Sequence, residues 1–253
     1  MISADLTGKR TIVTGGVSGI GLSVVRTFAQ NGSTVAMADL ADGQIGESAL
    51  ALVDDGPDVF EAPCDLRDND SVIFMIDSAA EQTGGIDYPV NIAGHPVMLT
   101  ASPASDLESQ TEELWSEVLS INLISAFRTA KAAAPYLRGS QGAIVNTSAM
   151  SGWRGGGSSP PYSMTKDGIV TLTKELGCGL GPEVRVNAIS PSYVHPDSTN
   201  FPPRWESVFE DCEALPLGRL GTAVEYADAC LFLCAGASYI TGQNIHGDGG
   251  WSG

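Results

Sequence analysis

The sequence predicts an α/β fold: one doubly wound parallel sheet of seven strands with helices on both faces. Three observations predict it. Short β-branched or apolar runs alternate with longer stretches of helical period, the pattern of parallel strands joined by crossover helices. A glycine-rich turn, Thr14-Gly15-Gly16-Val17-Ser18-Gly19-Ile20-Gly21, stands between the first such run and the first such stretch. The 253 residues, 43% of them hydrophobic, suffice for a single large core without a second domain. The chain is therefore read as one domain over residues 1–253.

The first strand is expected at residues 11–14 and the second at 34–38. Between them Ile20, Val24 and Phe28, with Val25 and Ala29, recur at three- and four-residue spacing, which gives a helix one buried stripe. Asn31-Gly32 stops it. Five more strands are expected at 58–61, 87–92, 143–147, 183–188 and 244–246. Pro89 lies inside the fourth strand, where it removes a ladder donor. One long helical pattern runs from Thr111 to Leu137 and ends near Pro135; another runs from Pro161 to Leu176, opening on a proline in the first turn, where a missing N–H costs nothing. Residues 190–218 break the rhythm with five prolines and several aromatics, and read as a substrate lid.

Composition narrows the function classes. A formal net charge of −17, from 30 acidic against 13 basic residues, repels polyanions, so nucleic acid and anionic membrane surfaces are not expected as partners. No eighteen apolar residues run together, so no membrane span is expected, and no secretion signal precedes the first strand. Five cysteines without a CxxC pair argue against a disulfide framework or a zinc site and fit a reducing cytoplasm. Cys230 and Cys234 share a helix face and are read as small core hydrophobes. The three histidines are too isolated to form a metal cluster. No metal is expected.

The glycine turn has a mechanism in its strand–turn–helix setting. Gly15 permits the tight turn, Gly19 lets the backbone approach a pyrophosphate, and Gly21 lets the helix pack closely on the sheet. Free N–H groups and the positive dipole end of the helix would then solvate the phosphates. Asp39 closes the second strand about twenty residues on, where a carboxylate accepts from ribose hydroxyls and repels a 2′-phosphate. With no Arg or Lys in the loop or just after Asp39, NAD(H) is expected rather than NADP(H). Tyr162 and Lys166 stand four residues apart at the start of the helix after the fifth strand, on one face and at the carboxyl edge of the sheet. A free phenol, with a pKa of about 10, is a poor base. An ammonium about 4 Å away would favour phenolate by about 4 kcal/mol at an effective dielectric near 20, before desolvation is subtracted. The pair is therefore expected to act as a general acid/base centre.

The spacing Gly-x3-Gly-x-Gly, with the Tyr-x-x-x-Lys pair, resembles the short-chain dehydrogenase/reductase family, a Rossmann-fold family of NAD-dependent oxidoreductases. The match covers nearly the whole chain. Cys64-Asp65-Leu66 resembles the family's adenine-contacting turn, and Asn91-Ile92-Ala93-Gly94 its Asn-Asn-Ala-Gly, with Asn91 left to bridge backbone. Asn122, in Ser120-Ile121-Asn122-Leu123, matches the helix Asn that kinks the helix and holds a water in the proton relay. Thr241-Gly242-Gln243-Asn244-Ile245 and Asp248-Gly249-Gly250 match the last strand and closing turn. The resemblance implies that Tyr162 exchanges the substrate proton while Lys166 also binds the nicotinamide ribose. It implies cofactor contacts from Gly15, Ser18, Gly19, Ile20, Gly21, Asp39, Asp65, Leu66, Asn91, Ala93, Gly94, Pro191 and Val194, and a homo-tetramer or homodimer.

Besides Ile92, three positions depart from the pattern. The serine thirteen residues before the Tyr is Ala149, so either Ser148 or Ser151 reaches in, with Ser148 preferred, or the hydroxyl is absent. Pro-Gly after the sixth strand becomes Pro191-Ser192, and the Thr that meets the carboxamide becomes Pro196. The expected reaction is reversible oxidation of a secondary alcohol to a ketone. Tyr193, Phe201 and Trp205 in the lid, with Met98 and Trp153, point to an apolar or ring-bearing substrate. The alternatives are a non-catalytic NAD-binding regulator, and a lyase, isomerase or dehalogenase-like relative without net hydride transfer.

Overall fold

A computed structural model describes residues 2–41, 58–95, 97, 103–195 and 215–252. Seven strands form one parallel sheet in the order β3-β2-β1-β4-β5-β6-β9: β1 Arg10–Thr14, β2 Thr34–Ala38, β3 Val59–Glu61, β4 Tyr88–Asn91, β5 Ala143–Thr147, β6 Arg185–Pro191 and β9 Asn244–Gly247. β7 (Val194–His195) and β8 (Gly221–Thr222) pair separately. The helices are α1 Gly19–Gln30, α2 Asn69–Thr83, α3 Glu112–Leu119, α4 Ser125–Ser140, α5 Met150–Arg154, α6 Pro160–Gly179 and α7 Ala223–Leu231.

Alternation along the strands builds a core on each face. Val13, Met37, Val90 and Val145 pack with Val24 and Phe28 of α1 and Cys230 of α7. Their neighbours Ile12, Ala36 and Ile144 face the other way, against Val72 and Ile76 of α2 and Ala133 and Leu137 of α4. Cys230 and Cys234 are buried core residues, and burial pushes the Cys230 thiol up to about 12. Crossovers reverse between β1 and β4, the switch point at which doubly wound sheets open a ligand crevice beyond the strands' carboxyl ends. No helix among the described residues is long and apolar enough to cross a membrane.

Several expected boundaries need correction. β6 runs on to Pro191 rather than ending at residue 188, because β9 pairs Ile189, Ser190 and Pro191 with Ile245, His246 and Gly247. The lid therefore does not begin at Ser190; residues 190–191 are strand, 194–195 pair with 221–222, and 196–214 lie outside the described residues. The expected single helix from Thr111 to Leu137 is three pieces, α3, a π-helical turn at Ser120–Ile124 and α4, and Pro135 sits inside α4 instead of ending it. Pro89 leaves Arg10's carbonyl satisfied, because Asp87 N–H donates to it at 2.8 Å.

Candidate active site

The glycine turn is tied to the sheet by its own backbone: Gly15 N–H donates to the Ala38 carbonyl at 2.8 Å. Gly15 has φ +70°, and a Cβ there would lie 2.9 Å from the Ala93 backbone, so the turn needs glycine both for its conformation and for its contact with the segment after β4. A Cβ on Gly21 would lie 1.8 Å from the Gly15 carbonyl oxygen, so the start of α1 rests on the turn itself rather than on the sheet. Gly19 differs, having φ +52° and open space where a Cβ would point. Ser18, the exposed residue before α1, makes no side-chain cap, and no acidic residue stands in the first turn. Ile20 packs into the α1 core. An uncapped helix start facing open space fits a pyrophosphate.

Asp39, just beyond β2, takes the expected place beside this turn, its Oδ2 accepting from Val17 N–H at 3.4 Å. Asp65 is engaged locally: its carboxylate accepts from Arg67 Nε and Nη2, each at 2.9 Å, and Arg67 holds its pKa below the usual carboxylate value. Leu66 is buried, and its carbonyl accepts from Arg128 of α4 at 3.0 Å.

Beyond β4 and β5 the other site residues converge. Asn91 bridges through its side chain, Nδ2 donating to Asn146 Oδ1 at 2.9 Å; Asn146 in turn donates to Thr173 Oγ1 of α6 at 3.0 Å. Asn122 is buried in the π-helical turn. Its Oδ1 accepts from His95 N–H at 3.1 Å, while Nδ2 donates to the carbonyls of His95 (2.8 Å) and Val118 (3.0 Å). The amide thus serves a helix carbonyl and fixes the segment after β4, which accounts for a polar residue at a helix irregularity. A Cβ on Gly94 would lie 2.8 Å from Asn122 Oδ1 and 2.9 Å from Lys166 Nζ. The structure therefore brings Gly15, Ala93, Gly94, Asn122 and Lys166 into one contiguous group.

Tyr162 and Lys166 share the first turns of α6, which Ser159 caps by accepting from Tyr162 N–H. Lys166 is buried, donating from Nζ to the Thr147 carbonyl at 3.0 Å, and its Nζ lies 5.6 Å from the Tyr162 ring centroid. The expected lowering of the phenol's pKa is not found. Burial pushes Tyr162 up to about 12 and pulls Lys166 down to about 8, because desolvation disfavours phenolate and ammonium alike.

Ser148 also needs correction as the substrate-facing hydroxyl. It is buried and donates to the Lys166 backbone carbonyl at 2.6 Å, so it fastens β5 to α6. Ala149 is the extended residue before α5, and the Ser151 Oγ in the first turn of α5 is buried with no hydrogen-bond partner. Pro191 ends β6 opposite Gly247, and Val194 pairs with Gly221; Ser192 N–H, in the position usually occupied by glycine, donates to the Gly247 carbonyl at 3.1 Å. Pro196, Met98, Phe201 and Trp205 lie outside the described residues. A cavity of about 330 Å³ lies by α7 and β9, walled by residues including Ile189, Tyr226, Ile245 and His246; neither Tyr162 nor Lys166 lines it. Sequence reading missed Thr147, whose carbonyl holds the lysine, and His95, whose backbone holds Asn122, since in both cases the main chain does the work and residue type carries no signal.

A glycine turn at a switch point, with a Tyr–Lys pair across the crevice, defines a dinucleotide-dependent oxidoreductase of the doubly wound class. Comparison with known proteins makes the family specific. The family described as enoyl-(acyl carrier protein) reductase matches residues 15–252. The 3-oxoacyl-[acyl-carrier-protein] reductase of Chlamydia trachomatis is 34% identical, with 98% of this chain and 99% of that protein covered. Sorbose reductase of Schizosaccharomyces pombe is 33% identical, with coverage of 98% and 97%. The crystal structure of a 3-oxoacyl-[acyl-carrier protein] reductase from Brucella melitensis with bound NAD superimposes with a TM-score of 0.86 at 29% identity, covering 97% of this chain and 92% of that one. The chain belongs to the short-chain dehydrogenase/reductase family and is an oxidoreductase.

Proposed function

We propose that this enzyme interconverts a secondary alcohol and a ketone on an apolar or cyclic small molecule, using NAD(H), with Tyr162 as the general acid/base. The observation that carries the reading is the pair on α6: buried Lys166, held by Thr147 and beside Gly94 and Asn122, with its ammonium 5.6 Å from the ring centroid of half-buried Tyr162. A nicotinamide dinucleotide, when bound, donates or accepts the hydride. Gly15, Gly19 and the start of α1 would hold its phosphates, Asp39 its adenosine ribose, and Lys166 its nicotinamide ribose. The remaining chemistry belongs to the protein. Burial keeps Tyr162 protonated at neutral pH, so its phenol can donate to a carbonyl oxygen in reduction and take the proton back in oxidation. Asn122, with both Nδ2 hydrogens engaged, positions the segment after β4 rather than passing protons through its amide.

Following nicotinamide absorbance over a panel of cyclic and open-chain ketones tests the reading. Tyr162→Phe should lower kcat by about 10³-fold while calorimetry finds NADH affinity retained. Product formed without any absorbance change would favour lyase or isomerase chemistry instead. NADH binding with no turnover of any substrate would favour a regulator. Asp39→Ser should raise the efficiency ratio of NADP(H) to NAD(H) roughly tenfold or more, by removing the carboxylate that a 2′-phosphate would meet. The enzyme is read as a cytoplasmic homo-tetramer or homodimer; Ile124, Phe127 and Met164, exposed on adjoining helical segments, supply apolar surface for the contact, which sedimentation would detect.

A further inference from the structure

Five side chains outside the acid/base pair meet in two groups, Trp153 with His246 and Trp251 with Arg154 and Tyr193. Gly152 sets α5 directly on α6, since a Cβ there would lie 2.6 Å from the backbone of both Lys166 and Asp167. The two residues that follow, Trp153 and Arg154, therefore belong to a helix that packs on the backbone carrying Lys166. Trp153 is 58% exposed, and its ring lies 5.8 Å from that of His246 at the end of β9. The Arg154 guanidinium lies 4.9 Å from the Trp251 ring centroid, and Arg154 Nη1 donates to the Trp251 carbonyl at 3.5 Å. The Tyr193 ring, just beyond β6, lies 5.4 Å from the same indole. Trp251 thus joins α5, which follows β5, to the segment that follows β6.

The turn bearing Trp251 is tied down independently of these rings. Asp248 accepts from Gly250 N–H at 2.9 Å and from Ser252 N–H at 3.0 Å, and His246 Nδ1 lies 3.3 Å from Ser252 Oγ. Long aromatic side chains fixed at both ends present rigid flat area at low entropic cost. We propose that Trp251 is a specificity-determining residue: it braces Tyr193 and Arg154 so that, with Trp153, they form an aromatic wall selecting six-membered rings over open chains. This deepens the reading of a cyclic substrate given above and rests on it. Trp251 acts through its neighbours, so it is a positioning residue.

The test compares cyclohexanone with 2-hexanone, matched in carbon number. In the native enzyme kcat/KM should favour cyclohexanone. Trp251→Ala should cut that preference roughly three- to tenfold, chiefly through KM, while Trp251→Phe keeps most of it. Arg154→Ala should give a smaller change in the same direction and serves if Trp251→Ala does not fold. Saturation-transfer NMR of cyclohexanone on NADH-loaded Tyr162→Phe protein reads the wall without turnover. Saturation lost in the Tyr162→Phe, Trp251→Ala double variant supports the wall even if no ketone is reduced. An unchanged ring preference in folded Trp251→Ala, no preference in the native enzyme, or no saturation of the ring overturns it.

Discussion

The two ends of the sheet are built to opposite rules. At the amino ends of the strands the charges of Lys9, Arg10, Asp87 and Arg185 are all engaged. Asp87 is buried and accepts from Arg10 N–H at 3.0 Å, Arg10 Nε at 2.6 Å and Lys9 Nζ at 3.3 Å. Arg185, opening β6, donates to the carbonyls of Leu233, Cys234 and Ala237 and so satisfies the π-helical turn after α7. At the carboxyl ends the accounting is left open. Thr147 Oγ1 and Ser151 Oγ are buried without partners, and burial displaces both Tyr162 and Lys166 from their ordinary titration ranges. Saturated ion pairs hold the strands in register, whereas unsatisfied and desolvated groups cost stability and persist where chemistry uses them.

The sharpest way to break this comparison is to remove the desolvated cation. Lys166 has a folded pKa of about 8 against an ordinary 10.5, so between those values the unfolded chain binds the extra proton. Stability attributable to this group therefore rises as pH climbs from 8 to 10.5. The gain should be of the order of 2–3 kcal/mol. Tyr162 acts the other way at higher pH: its folded pKa of about 12 exceeds the ordinary 10, so its contribution is lost between 10 and 12. Lys166→Met should flatten the first slope, a difference read from urea melts of the two proteins at pH 7, 8.5 and 10. Parallel pH profiles would mean that the ammonium is not desolvated in solution.

Asp87→Asn attacks the opposite end. Loss of the charge leaves Arg10 and Lys9 without their counter-ion but still partly exposed, so the cost should be about 2 kcal/mol. The kcat of the protein that remains folded should not change, because the substitution lies at the far edge of the sheet. A matched fall in kcat would show that the two ends are coupled.

The sheet was legible because its signal is local. Short β-branched or apolar runs between helical stretches placed all seven strands, and those at 34–38 and 143–147 came with their observed limits. The Tyr–Lys spacing and the glycine turn were legible for the same reason, since each is fixed within one helix or one turn. What escaped depends on distant partners. β6 extends to Pro191 only because β9 pairs with it. Pro135 continues α4 because Ala133 and Leu137 are buried against the sheet, and that packing outweighs the residue's poor propensity. The π-helical turn at Asn122 arises where its amide meets Val118 and His95, and His95 is twenty-seven residues away. The fate of Ser148 was equally hidden: its partner is a carbonyl on α6, which no spacing rule identifies.

That serine gives the smallest effect and the finest discrimination between the two ends. Adjacent to Ala149 in sequence, Ser148 belongs by its contacts with the saturated groups, since its buried hydroxyl already donates to Lys166's carbonyl. Ser148→Ala should cost about 1 kcal/mol of stability, the worth of one neutral hydrogen bond, and change kcat less than threefold. Ser151→Ala removes a buried hydroxyl with no partner and should cost less stability. If Ser148→Ala instead abolished turnover while leaving the melting curve in place, the hydroxyl would have to leave the carbonyl and reach the substrate. The boundary between structural and reactive groups at the end of β5 would then fall one residue earlier than its hydrogen bond places it.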